Sequence, residues 1–329
     1  MSTAEATVGA QVKPIKRRGF WMDLLHRLVT EKPLGLVGAI IVLLLFLVGI
    51  FAPFIAPEKG TVNAPGYNII HLADRFQPPS AKYPLGTDQL GRDVLSRVIY
   101  GAQLSMIVAV VATLIHTIMS TAIGIACAYF GGWFDIIVQR FVDAWICFPY
   151  LVILITAMSI IGAGLWQVLL VLGITGGFGS ARFKRSLVFA IRENTYIYAS
   201  ESIGARPLRV MWNHILPNIM PMVIVIFTTT MGGMILAEAS LSFLGLGLPP
   251  PYPSWGSMIA GDGRSNMLIA PWMMFWPGLA LTLVVFGINM FGDALRDLLD
   301  PRLRGGLGSY RLGEAEKVRR RLMARAGQS

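Results

Sequence analysis

The 329-residue chain is 54% hydrophobic and 14% charged, with a mean hydropathy of +0.61, a balance that excludes an ordinary soluble domain. Its formal net charge of +10 would suit a nucleic-acid binder only if the basic residues clustered on one solvated unit, so their distribution has to decide. The two cysteines, Cys127 and Cys147, fall inside or at the edge of apolar runs, which argues against a disulfide framework.

A hydrocarbon core about 30 Å thick needs roughly 20 apolar residues per helix, and runs of that kind organise the whole chain. The first 19 residues are polar and basic, with no apolar stretch of signal-peptide type, so the first span is expected to stay as an anchor. Before that span, Phe20, Trp21, Leu24, Leu25, Leu28 and Val29 recur at helical spacing beside basic residues, the pattern of a helix lying in the membrane interface. Spans are then expected at Leu34–Phe54, at Leu104–Phe130, and within Trp145–Leu172, where Gly162 and Gly164 make a break near Ile161. A short, glycine-rich fourth is expected at Leu165–Phe178, a fifth at Pro217–Leu248 and a sixth at Trp272–Leu299. The fold expected is all-α, a polytopic bundle of six transmembrane helices. It divides into a tail with an interfacial helix (1–33), a first span (34–57), an extracytoplasmic segment (58–100), a five-span core (101–299) with a cytoplasmic loop at 180–216, and a basic tail (300–329).

Within the spans, Ser120, Gly124 and Ala128 lie four apart, a stripe of small residues that lets another helix approach closely. Gly245, Gly247 and the run Pro249–Pro251 should end the fifth helix, and Trp272 and Trp276 suit an interfacial aromatic belt. Asp293, Arg296, Asp297 and Asp300 are spaced so that Arg296 can pair up and down the end of the sixth helix. Glu238 stands in GGMILAEASLSFLGLG, where a carboxylate is costly in hydrocarbon. It is either a candidate for the translocation pathway or a group near the outer interface satisfied by Ser240 or Ser242.

With an even number of spans both termini share a side, and of the 28 basic residues only Lys59, Arg75, Lys82, Arg92, Arg97 and Arg264 fall on the other. The positive-inside rule makes the shared side cytoplasmic, so the charge is a record of topology and nucleic acid is excluded as a partner. The four histidines are scattered, which gives no metal site, and catalytic residues are not expected. No glycine precedes a lysine, so no phosphate-binding P-loop exists and the chain is expected to hydrolyse no ATP itself.

The polar stretch YASESIGARPLRVMWNHILPN, residues 198–218, lies in the loop before the fifth span, where it would form a water-facing docking surface. It resembles the EAA loop of bacterial ABC importer permeases, matching it at Tyr198, Ala199, Ser200, Gly204, Leu216 and Pro217. Tyr198 stands where that pattern has Glu, and Ser200 where it has the second Ala. Three longer stretches strengthen the likeness: PLGTDQLGRDVLSRVIYGAQLS from Pro84, AEASLSFLGLGLPPPYPSWGSMI from Ala237 and FGDALRDLLDPRLRG from Phe291. All three resemble the C-type permease subunits of dipeptide, oligopeptide and nickel importers, in order over roughly residues 34–305.

That resemblance implies a type I ABC importer permease in a bacterial or archaeal inner membrane. It implies a homologous B-type permease, two ABC ATPases that hold ATP and Mg, and an extracytoplasmic substrate-binding protein as partners, with membrane lipid around the bundle. It further implies that Tyr198, Ala199, Ser200, Glu201, Gly204, Ala205, Leu216 and Pro217 couple the chain to an ATPase through the loop 195–217, with Glu201 supplying the charge absent at Tyr198. Peptide is the expected solute, with nickel or oligosaccharides as alternatives. A secondary carrier would be expected to show internal repeats or several buried charges, and an intramembrane enzyme a catalytic pair, and the sequence offers neither plainly.

Overall fold

The computed structural model describes residues 20–58 and 65–299, so the basic tail, the first nineteen residues and Asp300 lie outside the described part. Helices α1 (Phe20–Glu31), α2 (Pro33–Ile50) and α3 (Ala52–Ile55) open the chain. Next come α4 (Val94–Ile107), α5 (Thr113–Phe130), α6 (Gly132–Ile146), α7 (Tyr150–Ile161) and α8 (Leu165–Arg192). The short α9 (Thr195–Ser202) and α10 (Pro207–Val210) precede α11 (Leu216–Phe243), α12 (Trp255–Met258) and α13 (Trp272–Leu299). Among the described residues every regular element is helical.

Several expected boundaries move, each for an identifiable physical reason. The second span begins at Val94, ten residues early: α4 and α5 join through a π turn, Val108–Ala112, into one helix of 37 residues. Its polar start was hidden because Arg97 reads as solvent-exposed, whereas its side chain is buried near Asp88. The helix that carries the fifth span likewise begins at Pro207, not at Pro217, and runs 37 residues to Phe243. That is longer than the roughly 20 residues a bilayer needs, so its first turns belong to the loop. Pro217 has no N–H to donate, and the π turn Met211–Ile215 just before it lets the helix continue past that missing bond. The glycine break falls where expected, with α7 ending at Ile161 and α8 starting at Leu165. The helix before the break, however, is α7 joined at a 92° bend beside Pro149 to α6, which begins at Gly132 and not at Trp145.

The six-span count is not what the helices give directly. Four among the described residues are long and apolar enough to cross a membrane, or five if the bent α6–α7 pair is one span. The remaining helix, α8, has the length, at 28 residues, but its glycines and its arginines and lysine dilute its hydropathy.

Contacts between distant residues set the helix directions. Ile115 meets Gly173, Met119 meets Gly177, Gly124 meets the backbone at Lys184 and Arg185, and the Ala128 carbonyl accepts from Arg192, so α5 and α8 run parallel. Two parallel helices in sequence require the chain to return between them, and only α6 and α7 are available. By contrast α2 runs antiparallel to α13, with Gly38 against Phe291 and Ile41 against Gly287. Asp297 pairs with Lys32 at the start of α2, and among the described residues Arg296 forms no ion pair with Asp293; Asp300 lies outside them.

The small-residue stripe lies in the α5–α8 contact: Ser120 and Ala128 are fully buried, and a Cβ at Gly124 would sit 2.8 Å from the Arg185 nitrogen. Backbone atoms cannot retreat as a flexible side chain can. Gly124→Leu is therefore expected to destabilise the protein by about 1–3 kcal/mol through overpacking. Thermal unfolding in detergent checks this, against Gly179→Leu, where a Cβ would meet nothing.

Candidate functional site

The loop between α8 and α11 folds as a small platform built on the ends of three long helices. Ile197 of α9, Val210 of α10 and Ile215 are fully buried against Ile125 of α5, Val188 of α8 and Ile219 of α11. Arg192, the last residue of α8, donates to the Ala128 carbonyl at 2.8 Å and its guanidinium lies over the Tyr129 ring. A displacement of α9 is thus felt by α5, α8 and α11 together, because close-packed contacts transmit strain.

Helix α9 ends in a Schellman motif. The Ala205 N–H donates to the Ser200 carbonyl at 3.2 Å and the Gly204 N–H to the Glu201 carbonyl at 2.9 Å, with Gly204 at φ +80°. Glycine takes that left-handed conformation without a Cβ penalty, and this is what turns the chain from α9 toward α10. Ser200 faces inward and is buried, whereas Tyr198, Ala199 and Glu201 are exposed, Tyr198 to 55%. Tyr198 and Glu201 are one turn apart, as their spacing required, and the Glu201 carboxylate lies close enough to the Tyr129 hydroxyl to interact with it. Leu216 and Pro217 fall at the start of α11, Leu216 half-buried against this cluster and Pro217 exposed.

Three residues missed in the sequence are also exposed in this segment: Ile203, Leu208 and Trp212 are 85%, 77% and 72% exposed. A large apolar side chain in an otherwise polar loop was the available signal, since exposed apolar groups grouped in one place mark interaction surfaces.

At the opposite end, residues 84–93 form a tight turn. Asp88 accepts from the Leu90 and Arg92 backbone N–H groups at 2.9 Å and from Arg92 Nε at 2.6 Å. Asp93 caps α4 by accepting from Ser96 N–H and Ser96 Oγ. Two indoles clamp the turn: Trp272 Nε1 donates to the Thr87 carbonyl and Trp255 Nε1 to the Val98 carbonyl. Outside the bundle, hydrogen bonds from Lys82 and Tyr83 hold the Asp74 carboxyl below its usual range, while burial pushes the Glu58 carboxyl up.

Glu238 is 2% exposed, and one of its oxygens accepts from both Ser242 Oγ at 2.6 Å and Ser254 Oγ at 2.8 Å. Ser240, the other partner considered, donates instead to the Leu236 carbonyl. The carboxylate therefore ties α11 to the segment entering α12, and it does not line the cavity beside it. That cavity, about 420 Å³, lies among α5, α7, α8 and α11, with His116, Tyr150, Ser180 and Thr230 as its main polar lining. His116 Nε2 and Ser180 Oγ are 2.8 Å apart across it. No group of three or more metal-ligating side chains occurs among the described residues.

Residues 120–305, which contain the platform and the cavity's α8 and α11 walls, match the family model described as the binding-protein-dependent transport system inner membrane component. The chain belongs to this family. Residues 19–79 match a second model, the N-terminal TM domain of oligopeptide transport permease C. Among curated relatives, the dipeptide transport system permease protein DppC of Alkalihalophilus pseudofirmus is 37% identical over 284 residues, 86% of this chain and 90% of the relative. DppC of Bacillus subtilis is 37% identical over 286 residues, 87% of each chain. The glutathione transport system permease protein GsiD of Escherichia coli is 35% identical over 294 residues, 89% of this chain and 94% of the relative. The chain is accordingly a permease component of a binding-protein-dependent ABC importer, an inner-membrane protein and not the hydrolytic subunit.

The Glu238 geometry makes a prediction that separates its two readings. Glu238→Ala strands two buried hydroxyls and is expected to cost about 1–3 kcal/mol. Glu238→Gln, which still accepts from both, should keep most of the stability and near-normal transport by the assembled importer. Loss of transport in a fully stable Glu238→Gln variant would place the carboxylate in the pathway instead.

Proposed function

We propose that this chain forms half of the translocation pathway of an ATP-driven peptide importer and receives the ATPase stroke through the loop 195–217. The observation carrying this reading is the two-sided platform: Ile197 and Val210 are buried on the ends of α5, α8 and α11, while Tyr198, Glu201, Ile203, Leu208 and Trp212 are exposed. Such a platform suits a helix seated in a partner's groove, whose movement would rotate the bundle between inward and outward openings. ATP and Mg would be held by two partner ATPases, and a second, homologous permease and an extracytoplasmic receptor would complete the assembly. Relatives named for dipeptide and glutathione transport favour peptide over nickel or oligosaccharide as the solute.

Within this reading the chain crosses the membrane six times: four apolar helices, the bent α6–α7 pair, and α8. The parallel course of α5 and α8 supports α6–α7 as the return crossing, and the basic-residue distribution supports cytoplasmic termini. A single cysteine at Ser80 in a cysteine-free background should then react with an impermeant thiol reagent from outside, and one at Ser309 should not. Reversed labelling overturns the orientation.

Within the platform, Tyr198 and Glu201 are assigned the contact with the ATPase, with Glu201 in the acidic role. Glu201→Ala should lower substrate-stimulated ATP hydrolysis by the reconstituted complex more than Tyr198→Ala, at unchanged membrane abundance. An exposed ion pair is worth only about 0–1 kcal/mol, so the effect becomes large only if the docked interface excludes water. If Tyr198→Ala uncouples and Glu201→Ala does not, the aromatic side chain is the anchor and the acidic role does not sit at Glu201.

A further inference from the structure

The cavity among α5, α7, α8 and α11 has an electrical character that its apolar surroundings conceal. The 92° bend between α6 and α7 leaves α7, a 12-residue helix, with its N-terminus beside the cavity, where Tyr150 and Leu151 form part of the lining. Its N-cap is Pro149, which provides no side-chain cap. The Val152 and Ile153 N–H groups donate to the Pro149 carbonyl, but those of Tyr150 and Leu151 have no acceptor among the described residues. Free N–H groups and the aligned peptide dipoles make such an end attractive to anions, above all where water is scarce.

A second observation, independent of the helix end, carries the same sign. Lys184 is fully buried one helical turn beyond Ser180 on α8. Its Cβ sits at the level of Gly124, yet its ammonium donates to the carbonyl of Thr117, two turns back along α5, so the side chain points along the bundle toward the cavity end and not toward the helix terminus at Arg192. That carbonyl, at 3.3 Å, is its one acceptor, and no carboxylate lies within ion-pair distance among the described residues. Three buried threonine hydroxyls on the same stretch of α5, at Thr113, Thr117 and Thr121, have no partner, and neither has His116 Nδ1. His116, 2% exposed, lines the cavity together with Ser180. No Asp or Glu lines it. A buried cation left without a counter-charge is costly and calls for an anion that arrives from elsewhere.

We propose that this cavity is a subsite for the carboxylate end of the transported solute, with the α7 N-terminus and the His116–Ser180 pair contacting the carboxylate and Lys184 supplying the field behind them. The inference rests on the peptide-importer reading and refines it: the chain would prefer peptides with a free C-terminus over the same peptides carrying an amide there. Lys184 is in this account a positioning charge and not a contact residue.

The test uses the complete importer reconstituted in vesicles, with trialanine and trialanine amide as probes, each at a concentration that saturates the receptor. The wild type should transport the acid about tenfold faster than the amide, and Lys184→Met should remove that ratio by slowing the acid alone, on the scale expected when one member of a desolvated charge pair is deleted. Lys184→Arg should preserve the ratio, and Ser180→Ala should reduce it. Equal rates for acid and amide in the wild type overturn the proposal while leaving the peptide reading intact. So does an equal loss of both rates in Lys184→Met, which would mark a structural lysine. Should Lys184→Met fail to assemble, an unchanged ratio in Ser180→Ala overturns the subsite. Transport of neither probe by an importer whose ATPase responds to another solute removes the peptide reading, and this subsite with it.

Discussion

The close parallel contact of α5 and α8 is the constraint on which the rest of the molecule depends. Lipid tails are as apolar as the side chains facing them, so two helices in a bilayer gain little from apolar burial alone and rely on packing and hydrogen bonds. Ser120, Gly124 and Ala128 supply the first by letting the backbones approach, and Arg192 on the Ala128 carbonyl supplies one of the second. Once that contact is set, the positions of the polar groups follow: His116 meets Ser180, Lys184 is sealed in, and Arg185 forms its ion pair with Asp135. The same contact fixes the C-terminal ends of both helices, and those ends are the seat on which α9 rests.

The two faces of the bundle are held by different means. At the platform end an apolar cluster joins α9 and α10 to three long helices, a contact that holds them as one unit. At the opposite end the restraints are directional: the Asp88 turn, the Asp93 cap, two indole hydrogen bonds and the Glu238 oxygen shared by two serines. Buried polar networks of this sort fix one arrangement because each alternative leaves a group unsatisfied. The turn at residues 84–93 is therefore a rigid fixture at its end of the bundle.

Broken geometry is concentrated where the chain passes from one regime to the other. Three π turns and the bend at Pro149 fall at the joins of α4 with α5, α10 with α11, α12 with the loop after it, and α6 with α7. In lipid such breaks are tolerated where freed backbone groups are met by protein or by a polar cavity. The α7 N-terminus, facing the His116–Ser180 wall, is the case where the groups stay open.

How much of this was legible in the sequence depends on whether the relevant property is local. Hydropathy, basic-residue asymmetry and the Gly204 turn are local, and they gave the membrane class, the approximate position of most helices and the platform loop. Boundaries failed where distant partners changed the meaning of a residue: Arg97 reads as exposed until Asp88 folds back on it, and Pro217 reads as a helix start until a π turn carries the helix through. Glu238 could be narrowed to two roles, but its second serine, Ser254, is sixteen residues away across a proline-rich turn. The sequence by itself therefore determined that the chain is a helical membrane protein, because burial in lipid selects composition segment by segment, and its motifs carried the resemblance to this importer family. Only the tertiary structure decided which polar groups meet, that Lys184 has no counter-charge and that the α7 N-terminus opens on a cavity, because those facts depend on helix directions and separations that no single segment encodes.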